Sequence, residues 1–239
     1  MAVAQKLACQ VRQIIQHGER VYTVELRPER PAPRFRPGQF LHLALDTYDP
    51  SGFWPESRVF SIASPPTQRE RLCITYSVQG RFTARMEKEL AEGQWVWVKL
   101  PYGEFVVEDT SDVVLFAGGT GITAFTAFLD GLTHDFEHTV YLAYGARQRS
   151  LLVYRDMVEQ RARMASILHA FYFIESEAGE LQPNETAGRL SVVGLWPQMQ
   201  DPLKATFYIS GPPPMLKAIS QALRNQGVRG DAIRIDAWE

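Results

Sequence analysis

Two rhythms of apolar and polar residues divide this chain. Up to about residue 105 the period is two. Tyr22, Val24 and Leu26 alternate with polar neighbours, as do Leu72, Ile74, Tyr76 and Val78, the spacing of strands buried on one face. Phe40–Leu45 and Trp95–Leu100 are further strand candidates. Pro37-Gly38 and Gly93 precede them, and Pro101-Tyr102-Gly103 follows the second. Prolines 28, 31, 33 and 37 keep one connection out of helix. A single helix interrupts the pattern, because Phe82, Met86 and Leu90 recur every four positions. Short strands around one helix predict a small antiparallel β-barrel.

From Val113 the rhythm changes to alternating strands and helices. Val113–Ala117 is a short apolar run, followed by glycines and a helical stretch over Ile122–Leu132. Strands at Val140–Tyr144, Ile167–Ile174, Thr206–Ser210 and Ile233–Ile235 alternate with helices over Leu151–Met164 and Pro213–Gln226. That order predicts right-handed crossovers and a Rossmann-like parallel sheet covered on both faces. The acidic segment Glu108-Asp109 marks the change, giving a β-barrel domain over 1–108 and an α/β domain over 109–239. Neither half contains an internal repeat.

Composition narrows the function by exclusion. The 239 residues carry 25 Lys and Arg against 27 Asp and Glu, without the basic excess expected of a nucleic-acid-binding protein. Cys9 and Cys73 are the two cysteines, too few for a thiolate cage around zinc or an iron–sulfur cluster. No metal site is therefore expected, and a metal-bearing redox centre would have to sit on another protein. Lys6 and Gln10 break the N-terminal run before a signal-peptide core forms. No apolar run reaches the ~18 residues of a membrane span. A cytoplasmic protein is the expectation.

The first candidate chemistry lies in Gly118-Gly119-Thr120-Gly121-Ile122-Thr123-Ala124. Gly119, Gly121 and Ala124 give the G-x-G-x-x-A form between a predicted strand and a predicted helix, the context of a dinucleotide fingerprint. Glycines let the backbone approach a pyrophosphate, and the helix start offers it unsatisfied N–H groups. The same turn also serves simply to pack helix on strand. The ribose-binding acid expected at the end of the second strand is missing; Arg147 and Arg149 stand there instead. They suit a 2′-phosphate, or they are ordinary surface charges. Glu175, Glu177 and Glu180, after the third strand, would repel that phosphate if they face the same cleft. The two signals conflict.

A second string, Arg58-Val59-Phe60-Ser61, puts a guanidinium, an aromatic ring and a hydroxyl within four residues. That set suits a planar anionic cofactor. Taken with Gly80-Arg81-Phe82-Thr83, the glycine turn, and Ser210-Gly211-Pro212-Pro213-Pro214-Met215, it resembles the ferredoxin–NADP⁺ reductase superfamily in order and over essentially the whole chain. The resemblance implies a barrel that holds FAD, or FMN, and a parallel sheet that holds NADH or NADPH. By that likeness Arg58 meets the flavin phosphate, Val59, Phe60 and Tyr76 border the flavin, and Ser61 lies at its reactive edge. Gly80, Arg81, Phe82 and Thr83 form the second phosphate loop. Gly119, Thr120, Gly121, Arg147, Arg149, Gly211, Pro212 and Met215 line the nucleotide site.

Two positions depart from that pattern: Ser210 replaces the cysteine common beside the nicotinamide, and Ala124 replaces a usual proline. Trp238 is the candidate for the aromatic that covers the flavin in many relatives, or else a tail residue packed on the sheet edge. Ser61 and Ser210 are expected to position the two rings rather than to form bonds. The function implied is a flavoprotein reductase passing hydride from NAD(P)H to flavin, then electrons to a separate acceptor such as a ferredoxin, flavodoxin, oxygenase or small molecule. The alternatives are a reductase that uses free flavin as a substrate and a non-catalytic redox or nucleotide-sensing subunit. A Ser–His–Asp hydrolase lacks its G-x-S-x-G elbow. The five histidines read as structural or surface residues, with His17 in a short polar turn. No sequence feature sets an oligomeric state.

Overall fold

Alternation in the N-terminal half produces strands whose inward residues close one core. In the computed structural model, residues 3–108, 110–133, 135–176 and 179–236 are described. The chain divides into two units, Met1–Val106 and Val107–Glu239. The first is a six-stranded antiparallel sheet of β1 (Gln5–Gly18), β2 (Val21–Pro28), β3 (Phe40–Ala44), β4 (Ser57–Ser61), β5 (Leu72–Ser77) and β6 (Trp95–Tyr102). Its order is β4-β3-β6-β1-β2-β5. Just past β4, the Ala63 N–H donates to the Cys73 carbonyl on β5 at 2.8 Å, so the outer strands approach one another and the sheet is a nearly closed barrel. Leu7, Cys9 and Val11 of β1 point inward with Val24, Leu26, Ile74 and Val98. Helix α1 (Arg81–Glu89) buries Phe82 and Met86 in that core and exposes its other face.

Strand β1 is not among the strands read from the sequence; its pairing with β2 shifts register at Val11/Gln13 and Gln16/Gly18. His17 belongs to this strand, not to a turn, and its Nε2 lies 2.9 Å from the Thr23 hydroxyl across the ladder.

The second unit is a parallel sheet. Its strands are β7 (Val113–Gly118), β8 (Val140–Ala146), β9 (Leu168–Ile174), β10 (Glu185–Ala187), β11 (Thr206–Ser210) and β12 (Ile233–Ile235). The order is β10-β9-β8-β7-β11-β12. Helices α4 (Val192–Leu195) and α5 (Pro213–Asn225) cover the face bearing Val114, Phe116 and Ile209. The alternate residues Val113, Leu115 and Ala117 are equally buried, so the other face is covered too. Helices α2 (Thr123–Asp130) and α3 (Arg155–Met164) neighbour one another, tied by Arg161 Nη2 to Asp130 Oδ1 at 2.6 Å. The chain builds outward from β7 through β8 to β10, then returns to place β11 on the other side of β7. The order therefore reverses between β7 and β11, where ligands of such sheets bind outside the carboxyl ends. Among the described residues no helix is long and apolar enough to cross a membrane.

Candidate functional site

In the first unit the period of β4 sorts its side chains. Arg58 is exposed, Val59 and Phe60 are half-buried, and Ser61 is buried. The Phe60 ring lies 6.1 Å from Tyr76, which stacks on Tyr22 at 5.5 Å. Burial of Tyr76 pushes its phenol pKa up, so it stays a neutral apolar surface with a hydroxyl. The Arg58 guanidinium lies 5.8 Å from the centre of the Phe82 ring, and its Nη1 donates to the Ser57 carbonyl at 3.3 Å. Phe82 lies in the first turn of α1, so Arg58 is brought beside the start of that helix.

That helix start is organised by Thr83. Its Oγ1 accepts from the N–H of Gln79 (3.0 Å) and of Gly80 (3.1 Å) and donates to the Gly80 carbonyl. Helix geometry leaves the N–H groups of Arg81, Phe82 and Thr83 without an intrahelical acceptor. A side chain at Gly80 would meet open space, so glycine there leaves the backbone open to a ligand. Arg81 is exposed and pairs with Glu56 at 3.0 Å. Further along α1, Glu87 accepts from the Tyr22 hydroxyl at 2.9 Å and from the Arg20 guanidinium, fixing the helix on β2. A guanidinium beside open helix-start N–H groups and aromatic rings has the chemistry to take a phosphate.

In the second unit the glycines have two different reasons. Gly119 has φ +54° and its Cβ position faces open space, so it turns the chain and leaves room above it. Gly121 is required by contact. A Cβ there would lie 2.5 Å from the Ser210 carbonyl carbon and 2.7 Å from the Gly211 nitrogen. At Gly118 a Cβ would overlap the Met215 sulfur and lie 3.1 Å from Pro212. The ends of β7 and β11 thus meet backbone to backbone, with Ala117 paired to Ser210. Thr120 follows in a 3-10 turn, and its carbonyl accepts from the Thr123 hydroxyl at 2.8 Å. The helix proper begins at Thr123 because this turn intervenes after Gly118.

Ser210 is buried and its hydroxyl donates to Asp236 Oδ2 at 2.8 Å. Asp236 is itself buried and lies just past β12. Sequence reasoning missed it, because nothing in the spacing of residues 210 and 236 links them. Arg147 is exposed at the end of β8, and its carbonyl accepts from the Ser176 N–H. Arg149 is turned onto Glu185, with Nε–Oε1 at 2.9 Å and Nη2–Oε2 at 2.8 Å. Glu185 was also missed, as a lone acid in a polar stretch. Trp238, Glu177 and His134 lie outside the described residues.

Comparison with known proteins agrees with both halves. The oxidoreductase NAD-binding domain family matches residues 115–221. The phenol 2-monooxygenase reductase component of a Pseudomonas strain is 29% identical over 209 residues, covering 82% of this chain and 55% of that protein. The tetrachlorobenzoquinone reductase of Sphingobium chlorophenolicum is 30% identical over 218 residues, 89% of this chain and 62% of that protein. The Amycolatopsis cytochrome P450 reductase superposes with a TM-score of 0.84 at 19% identity, over 99% of this chain and 70% of its own. The chain has a ferredoxin reductase-like fold. The flavin- and nucleotide-binding domain of a Vibrio cholerae nitric oxide dioxygenase superposes almost end to end, covering 97% of this chain and 98% of that one at a TM-score of 0.83 and 18% identity. This ferredoxin reductase-like chain spans 55–62% of the length of the two curated relatives described.

Proposed function

We propose that this ferredoxin reductase-like chain is an NAD(P)H-dependent flavoprotein reductase that delivers electrons to a separate oxygenase or ferredoxin. One observation carries the reading: the two anion-binding elements stand in one chain. The first is Arg58 beside the start of α1, and the second is the β7–β11 glycine junction at the reversal of the parallel sheet. The residues fit the cofactors. Gly80 and Gly119 both face open space where a phosphate would approach, and Arg58 has its charge exposed. Bound flavin would accept hydride from a nicotinamide and release electrons singly or in pairs.

The chain's own part is to bind and orient. Arg58 and the N–H groups at the start of α1 hold the flavin phosphate. Phe60 and Tyr76 offer aromatic surface to the ring system, and Ser61 closes β4 with a hydroxyl. Gly119 and Thr120 hold the nucleotide pyrophosphate against α2. Ser210, fixed by Asp236, keeps the end of β11 in place rather than transferring a proton. Holding two rings in attack geometry contributes a large part of such a reaction's rate.

A visible spectrum of the purified chain, followed by anaerobic titration with NADH and NADPH, tests this. Flavin absorbance that bleaches on titration is the expected result. A chain that neither retains nor reduces flavin overturns the reading. Reduction of added free flavin, with none retained, would instead identify a flavin reductase.

A further inference from the structure

The two arginines at the end of β8 raise a question that the side-chain geometry answers. When a pyrophosphate sits on the first strand–helix turn, the adenosine ribose reaches the end of the next strand, here β8 and the 3-10 turn Arg149–Leu151. A free guanidinium at that point would read a 2′-phosphate. Arg149 is not free. Its Nε–H and one Nη2 hydrogen grip the two oxygens of Glu185, and Nη2 also reaches the Glu180 carbonyl at 3.1 Å.

Glu185 is built for this hold. Its side chain has no exposure, and its second claim is on Arg155, whose Nη1 lies 2.5 Å from Oε1. The Gln182 N–H donates to Oε2 at 2.9 Å, and Gln182 Oε1 accepts from Arg155 Nη2 at 2.7 Å. Arg155 lies over the Tyr172 ring at 4.5 Å and 3.9 Å from Glu159. Two cations thus face two carboxylates, and the cluster presents no net positive charge to an incoming phosphate. The guanidinium of Arg149 holds the Glu185 carboxyl down to about 2, so it remains ionised throughout any working pH.

We propose that Glu185 biases the coenzyme preference of this site: by holding Arg149 against the sheet edge it withdraws one of the two arginines that would bind a 2′-phosphate, and tilts the site towards NADH. The inference rests on the reading that the second unit binds a nicotinamide nucleotide.

Calorimetric dissociation constants of 5′-AMP and 2′,5′-ADP on the full chain test it without flavin or turnover. The native chain is expected to bind 2′,5′-ADP no more tightly than 5′-AMP. Glu185→Gln should shift the ratio towards 2′,5′-ADP by about tenfold, the effect of one released charge-assisted hydrogen bond. Adding Arg149→Gln should abolish that gain, while Arg149→Gln alone should change the ratio less than about twofold. A folded Glu185→Gln chain with the native ratio overturns the proposal. So does a native preference for 2′,5′-ADP, or a severalfold selective loss of 2′,5′-ADP binding in Arg149→Gln alone. That last arm decides the matter if Glu185→Gln does not fold. Binding of 5′-AMP with the wrong ratios sinks only the role of Glu185. Failure of both nucleotides to bind, with no NADH oxidation, removes the nucleotide-site reading and the preference with it.

Discussion

Replacing Gly121 by alanine separates the two uses of glycine in the nucleotide turn. The added methyl would lie 2.5 Å from the Ser210 carbonyl carbon, against 3.4 Å or more in ordinary contact. The obstacle is backbone on the neighbouring strand, so no rotamer relieves it. Either the turn or the end of β11 must move by almost 1 Å, and overpacking of that kind costs about 1–3 kcal/mol. At a few degrees per kcal/mol, the melting transition of the second unit should fall by about 5–10 °C. The same shift displaces Thr120 and the start of α2, so 5′-AMP affinity should fall at least about tenfold. Gly119→Ala is the control. Its methyl meets nothing, and its φ of +54° adds about 1–2 kcal/mol of left-handed strain without a collision. Differential scanning calorimetry and nucleotide titration of the two variants give the comparison. A Gly121→Ala chain that melts with the native protein, or above Gly119→Ala, would refute the reasoning.

Three further outcomes are expected. Arg58→Ala should weaken flavin retention at least about tenfold by fluorescence titration, with the melting temperature nearly unchanged, because its ring contact is worth at most about 1 kcal/mol at an exposed site. Ser210→Ala removes a buried donor from Asp236 and should lower stability by about 1–3 kcal/mol in urea titration, whereas Ser210→Thr, which keeps the hydroxyl, should lose less. The depressed carboxyl of Glu185 stabilises the fold fully above the unfolded value near 4.5. As pH falls from there towards 2, only the unfolded chain takes up the proton. About 2 kcal/mol should therefore be lost between pH 5 and pH 3, and Glu185→Gln should flatten that part of the stability–pH curve.

What the sequence determined by itself was local. Period-two alternation at 22–26 and 72–78, and four-residue recurrence at 82–90, act through neighbours a few residues apart. They accordingly placed β2, β5 and α1 within a residue or two of their observed ends. The glycine turn announced itself because a strand, three glycines and a helix are contiguous. The tertiary structure decided every feature that depends on distant partners. Gly121 needs to be glycine because β11 returns beside β7, a crossing that no local pattern encodes. Asp236 reaches Ser210 only because β12 adds to the same sheet edge. Arg149 looks like a phosphate ligand in sequence and is an ion-pair partner in space, because β10 carries Glu185 back to the sheet beside β9. A charge is visible in the sequence, but its counter-charge is supplied by whichever strand the fold brings next to it.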